Sequence, residues 1–359
     1  MSTIYIRTLK RAEHTVFNVA KGQKTYYDPQ FKRFIPFSSG QQVKRSILES
    51  LCEELNEIPS PTTFLFDADK QKKLKEGEVY GTCDPTYPDQ LFGGWMKASK
   101  GGGERTLKRR SPLSISAMRA LHPLLAGVDM TGGEPGSFDR SDRANNKVIV
   151  RGPGGEEMTE DQILELLKVE GNQDRSLARK WLNPADRATG LFVFDIAIDL
   201  RRLFSVSLNS FEPEMSGTTI EKLGAEGWVK SENIFGECLV APRAIRDQWI
   251  PGLVRSIINW RITSNQSRTF SLMDTLAISI SDNANLIAGS IRAKLSDEDS
   301  KKAEPIVDES LDNVDTFITI QAGGYIHTKG EKVDALEKAE QKLVELMSTF
   351  DYENQLVTR

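Results

Sequence analysis

Gly190-Leu-Phe-Val-Phe-Asp-Ile-Ala-Ile-Asp199 decides how the rest of the chain is read. Its apolar, β-branched and aromatic side chains follow one another almost without a break. A run this short and this apolar is a strand, central in its sheet and covered on at least one face. Asp195 and Asp199 interrupt it on the same face. Four residues apart on an extended chain places them about 13 Å apart, too far for one shared site. They read as strand-edge polar residues, one of them paired with Arg201 or Arg202.

Downstream, Ser205-Val-Ser-Leu208 reads as a continuation of the same sheet. Residues 242–261 follow as an amphipathic helix broken or begun at Pro251, with Leu253, Val254, Ile257 and Ile258 inward. Residues 275–281 alternate and predict a strand. Residues 296–315 are an acidic surface segment, and 331–350 a terminal helix with Val333, Leu336, Leu343 and Leu346 on one side.

Upstream, residues 3–9 predict a strand, and 20–37 a loop or hairpin punctuated by Gly22, Asp28-Pro29 and Pro36. Ser38-Ser39-Gly40 opens a helix whose apolar face is Val43, Ile47, Leu48, Leu51 and Leu55. Either serine can cap it. Lys44 and Arg45 lie off that face near the start, where a helix N-terminus suits a phosphate. The order is strand, helix, long insertion, two strands, helix, strand. This is the split β-α-β order of an α+β, ferredoxin-like or RRM-like domain. The insertion, 58–188, is too long for a structureless loop and must carry structure of its own. Within it, 147–151 predict a short strand and 159–168 a helix.

The chain has 359 residues, 38% hydrophobic and 27% charged, ordinary values for a globular protein. No apolar stretch reaches the roughly 18 residues a spanning helix needs. Met1 to Arg7 reads as a strand rather than a secretory signal, so a cytoplasmic location and no membrane partner are expected. Cys52, Cys83 and Cys238 stand far apart, and with His14, His122 and His327 they offer no metal-ligand spacing. Buried reduced thiols are expected, with no metal and no cofactor. His122 precedes Pro123 in an apolar stretch and reads as packed. Gly101-Gly102-Gly103 lacks the strand and spacing of a nucleotide-binding fingerprint and reads as a flexible loop carrying cations.

Net charge is −4, but unevenly placed. Residues 21–45 carry Lys21, Lys24, Lys32, Arg33, Lys44 and Arg45 against Asp28. Residues 97–119 carry Lys97, Lys100, Arg105, Lys108, Arg109, Arg110 and Arg119 against Glu104. Acids gather in 156–170 and 297–315. Segregation of this kind suggests one face made for a polyanion.

The order of elements, together with Phe37-Ser-Ser-Gly-Gln-Gln-Val-Lys-Arg-Ser-Ile-Leu48, resembles the backbone protein of type I CRISPR Cascade complexes, the Cas-seven family of the RAMP superfamily. That family's Ser-Ser-Gln-x-x-Lys-Arg-like stretch stands here as Ser39-Gly40-Gln41-Gln42-Val43-Lys44-Arg45, with Gly40 in place of the second serine. Residues 89–96, 111–119, 251–258 and 264–270 agree with further family segments in order and character. The resemblance implies an RRM-like palm (1–57 and 189–359), a finger-like insertion with an adjoining strand (58–128) and a thumb-like insertion (129–188). It implies copies polymerising on the spacer of a crRNA and presenting it to a target DNA strand, beside other Cascade subunits. Ser39, Gln41, Lys44 and Arg45 would hold guide phosphates; Lys97, Lys100, Arg105, Lys108, Arg109 and Arg110 would be groove cations, with Arg268 in the turn before the last palm strand. Met130, Phe138 or Trp181 would be the thumb wedge.

Relatives in type III complexes cut target RNA with a thumb aspartate, so Asp139 or Asp142 makes an endoribonuclease the enzymatic rival. Each is followed by an arginine, which favours a local ion pair and a chain that is not an enzyme. An assembly protein without RNA would leave both basic segments unexplained.

Overall fold

The computed structural model describes residues 1–17, 23–68, 74–98, 105–129, 149–168, 187–262 and 270–356. The chain opens on strand β1 (Thr3–Thr15), a hairpin of β2 (Thr25–Asp28) and β3 (Arg33–Ser38), and helix α1 (Gly40–Leu55). A ribbon of β4 (Thr63–Ala68) and β5 (Leu74–Tyr80) follows, then α2 (Pro88–Gly93) and a second ribbon of β6 (Trp95–Lys97) and β7 (Leu107–Arg109). Three short strands come next, β8 (Leu113–Ile115), β9 (Met118–Ala120) and β10 (Ala126–Asp129), then α3 (Glu160–Leu167) and the long β11 (Arg187–Asp199). After it lie α4 (Leu200–Leu203), β12 (Ser205–Ser207), α5 (Gly217–Ala225), β13 (Val229–Asn233), β14 (Gly236–Val240) and α6 (Arg243–Asn259). The chain continues with β15 (Thr275–Ser281), α7 (Ala284–Ser290), the ribbon β16 (Ile291–Leu295) and β17 (Ala303–Val307), and β18 (Asp315–Thr319). A 3-10 turn (Ile320–Gly324), β19 (Glu331–Lys332) and α8 (Ala335–Ser348) end it.

The architecture is α+β. One large sheet runs β19-β18-β15-β1-β11-β9-β3-β2, with β8 and β10 also paired to β11. β1 is antiparallel to both neighbours, and Ile6 stands opposite Ile196 on one side and Ile280 on the other. Ile4, Ile6, Ile196, Ile198, Ile278 and Ile280 belong to the main core with α1, α6 and α8 residues such as Val43, Ile47, Leu253, Ile257 and Leu343. α1 packs against α6, and α6 against α8. The opposite sheet face carries a smaller cluster, Leu9, Val193, Ala277, Ile291 and Ile318. β15 is therefore buried along its whole length despite its alternating sequence. Ser279 and Ser281 are accommodated by Thr316 Oγ1 at 3.1 Å and the Asn313 carbonyl at 2.8 Å. Gly190 has φ +141°, and a Cβ there would stand 2.3 Å from the Leu125 carbonyl oxygen, so glycine lets β10 close on β11.

Several expectations change. Ser205–Leu208 does not continue the large sheet: β12 pairs with β14 in a separate three-stranded sheet, β12-β14-β13. The strand beside β11 comes instead from inside the insertion, where Val193 faces Arg119 and Ala197 faces Ser114. The first strand runs to Thr15, not Leu9, because Ala12 and Thr15 still have partners on β11. α6 passes through Pro251 unbroken from Arg243. The terminal helix starts at Ala335, and Val333 is 85% exposed rather than part of its apolar side. Among the described residues of 147–151, only an isolated bridge from Arg151 to Glu157 appears. The predicted helix at 159–168 is α3, with Thr159 and Gln162 forming a reciprocal cap.

The core also holds a charge the sequence reading missed. Lys10 is fully buried, its Nζ donating to Thr275 Oγ1 at 2.9 Å and to the Met273 and Ile258 carbonyls at 3.4 and 3.5 Å. Desolvation holds its pKa well below the usual lysine value.

Candidate nucleic-acid interface

The start of α1 is built by Ser39 and Gly40. Ser39 is extended, and its Oγ accepts from the Gln42 amide at 3.3 Å, the cap the sequence predicts. A Cβ on Gly40 would stand 2.6 Å from the Ile115 carbonyl oxygen and 3.2 Å from the Ser116 carbonyl carbon. The helix N-terminus is thus seated on the β8–β9 connection, which gives glycine, rather than a second serine, a steric reason here. Gln41 and Arg45 are exposed, and Arg45 Nε contacts Glu49 Oε1 at 2.7 Å. An exposed i,i+4 pair of this kind is weak, about 0.3–0.5 kcal/mol, and yields readily to a phosphate.

Lys44 turns out differently. Its Nζ donates to the Gly93 carbonyl at 2.8 Å, tying α1 to the last residue of α2, two residues ahead of β6. It is half-buried, and desolvation pulls its pKa down to about 8. It serves as an internal tie more than as an outward cation.

That tie brings the second basic segment alongside. β6 and β7 pair as Trp95↔Arg109, Met96↔Lys108 and Lys97↔Leu107. Alternation along β7 sends Lys108 out and Arg109 in, and Arg110 out again just past its end. The Arg109 side chain is 1% exposed and paired with Glu214 Oε2 at 3.1 Å. It also donates to the Ser205, Arg202 and Leu91 carbonyls at 2.7, 2.9 and 3.3 Å. Arg109 is accordingly removed from the groove cations: its donors are consumed inside the protein. Lys97 lies 5.1 Å from the Tyr80 ring centre, and Arg105 donates to the Ser210 carbonyl. Lys100, Arg268, Met130, Phe138, Trp181, Asp139 and Asp142 lie outside the described residues.

Two features escaped the sequence reading. Between β7 and the 207–214 loop lies an open cleft lined by Arg105, Lys108, Arg110, Arg202, Phe211 and Phe235, among others. Phe211 is 88% exposed, and Arg202 lies 3.6 Å from the Phe235 ring centre. The available signal was a phenylalanine inside the polar turn Asn209-Ser-Phe-Glu-Pro213. On the sheet edge, Tyr27 and Phe34 are exposed with ring centres 5.4 Å apart, on a hairpin carrying exposed Lys24 and Lys32.

The remaining candidates resolve into structural roles. Asp195 is held by Arg7 at 2.6 Å and Arg119 at 3.2 Å. Asp199 is held by Arg201 at 2.8 Å and caps α4. His122 Nδ1 accepts from the Leu124 amide at 3.1 Å, its ring rests on Phe31 at 4.9 Å, and burial lowers its pKa. The three cysteines are free and buried, and burial pushes the Cys52 and Cys238 thiols up to about 11. Among the described residues no group of three or more His, Cys, Asp or Glu is placed to hold a metal, and no helix is long and apolar enough to cross a membrane.

No protein-family model and no curated protein matches the chain. Among solved structures, it is similar to a chain of a "CRISPR RNA-guided surveillance complex, pre-nicking" at 9% identity and a TM-score of 0.44, covering 96% of this chain and 89% of that one. It is also similar to a chain of a "CRISPR RNA-guided surveillance complex" at 11% identity and a TM-score of 0.41, covering 96% and 99%.

Proposed function

We propose that this protein binds single-stranded guide RNA as a repeating, non-enzymatic backbone subunit of a type I Cascade-like complex, alongside further copies of itself and other subunits. The reading begins with the motif resemblance at Ser39 to Arg45. Strand order supports it. Taking β1, β8/β9, β11 and β15 as the four palm strands gives the spatial order four-one-three-two, with α1 and α6 packed together on one side. That is the order of a ferredoxin-like, RRM-like palm built on the β-α-β-β-α-β path. The observation that carries the reading is where the motif stands in that palm. It caps the first helix, Lys44 ties that helix to the end of α2 just ahead of β6, and the ribbon that follows turns Lys108 outward, with Arg110 exposed just past its end. Gln41, Arg45, Lys97, Lys108 and Arg110 are then the residues that meet phosphate. Contacts to phosphate and stacked bases fit a protein that holds any spacer sequence. Weak binding by one copy becomes tight along a strand shared by many.

The test is co-purification. The chain, expressed with its neighbouring genes and purified at moderate salt, is expected to carry a discrete RNA of uniform length, protected from nuclease in regular steps. Replacing Arg45, Lys108 and Arg110 together by glutamate should abolish that RNA while circular dichroism stays unchanged. Absence of RNA from the wild-type complex defeats the reading. Mg²⁺-dependent cutting of added RNA that requires Asp139 or Asp142 would replace it with the endoribonuclease.

A further inference from the structure

We propose that the cleft between β7 and the 207–214 loop takes one unpaired nucleotide of a single-stranded nucleic acid, its base stacked on Phe211 and its phosphate held by Lys108 and Arg110. The proposal rests on the RNA-binding reading and adds to it a contact that the Ser39–Arg45 motif does not provide.

Phe211 carries the argument. A phenylalanine ring 88% exposed forgoes the burial that a protein interior would give it. Here the backbone fixes it outward. Asn209 Oδ1 accepts from the Phe211 amide at 2.9 Å, and Ser207 Oγ from the Asn209 amide at 3.1 Å. The Lys108 amide donates to the Pro213 carbonyl at 3.1 Å, anchoring the far side of the loop to β7. Arg105 ties the Ser210 carbonyl from the near side. The ring is therefore presented by a braced turn.

The charge around it is lopsided. Glu214 faces the cleft but is buried against Arg109 and accepts from the Ser207 amide at 2.8 Å. Glu212 is then the acid left to oppose Arg105, Lys108, Arg110 and Arg202. Arg202 is partly engaged by Asp199 at 3.9 Å and stacks on Phe235, making a second flat surface. Isolated aromatic faces among excess cations match a single strand, which offers π-faces and phosphates in alternation. A protein partner would favour a contiguous apolar centre with its charges at the rim.

The experiment uses the full chain with two probes, a labelled oligouridylate and a ribose-phosphate strand of equal length without bases. Phe211→Ala should weaken oligouridylate binding about tenfold and leave the baseless strand unaffected, while Phe211→Trp restores the loss. Lys108→Ala with Arg110→Ala should weaken both probes and flatten the slope of log affinity against log salt by about 1.4. If oligouridylate binds wild type and Phe211→Ala equally, the cleft assignment falls and the guide reading stands. If wild type binds neither probe, both fall. If Phe211→Ala keeps its RNA affinity but loses a protein subunit from the assembled complex, the cleft is a protein contact and the proposal is wrong.

Discussion

Lys44 shows how one side chain can satisfy a motif and yet act differently from the motif's implication. Its ammonium reaches the Gly93 carbonyl from a half-buried position, and desolvation brings its pKa from 10.5 to about 8. The folded chain therefore releases this proton near pH 8, whereas the unfolded chain keeps it to about pH 10.5. Between those values the unfolded state binds more protons, so Lys44 makes stability rise with pH. Wild type should accordingly gain stability relative to Lys44→Met as pH is raised from 8 toward 10.5, as read by urea denaturation at successive pH values. Parallel curves for the two proteins would show that the ammonium is effectively solvated. The same geometry makes Lys44 a poor choice for charge reversal, because a glutamate there would set a carboxylate against a carbonyl oxygen. Arg45, one residue on and exposed, is the cleaner probe of phosphate binding.

At the level of elements, β7 is a strand whose alternation sorts function from structure. Lys108 and Arg110 face solvent, and Arg109 crosses the interior to Glu214. Replacing one partner of a buried pair leaves the other charge uncompensated, at a cost of about 3–5 kcal/mol. Arg109→Met and Glu214→Gln should each lower the chemical-denaturation midpoint strongly, and Arg109→Met with Glu214→Leu should cost less than the sum of the single changes. Additive costs would mean that the two side chains act independently.

What the sequence made legible follows the same division between local and distant causes. Residues 190–199 and 275–281 announce their strands because their apolar runs are local. Ser39 announces its helix because the cap is satisfied three residues away. Arg109 could not be told from Lys108 or Arg110, because its partner lies far along the chain. Ser205–Ser207 was misassigned for a similar reason: its partner strand, Gly236–Val240, follows a helix and a hairpin turn that carry no mark of a separate sheet. Phe211 was missed because one aromatic in a polar turn gives no periodic signal. Its meaning appears only when β7 brings cations beside it.

For the molecule as a whole, the layering predicts an order of opening. β1 and β11 are paired on both edges and share the main core with residues of α1 and α6, so their amides should exchange only through global unfolding. The β4–β5 ribbon is an isolated two-stranded unit with Phe64, Phe66 and Val79 exposed, a unit marginal by itself in water. The β6–β7 ribbon is shorter still, three residues a strand, but Trp95 and Arg109 anchor it, with the Trp95 Nε1 donating to the Glu214 carbonyl at 2.5 Å. Native-state hydrogen exchange should therefore rank β1 and β11 as slowest, β6–β7 as intermediate and β4–β5 as fastest. If β6–β7 opened as readily as β4–β5, the cations on it would not be held in place before a ligand arrives. Part of the binding free energy would then be spent on ordering them, and Arg109→Met would leave RNA affinity unchanged. If β6–β7 is protected as its anchors require, the same substitution should weaken RNA binding even though Arg109 itself never meets the strand.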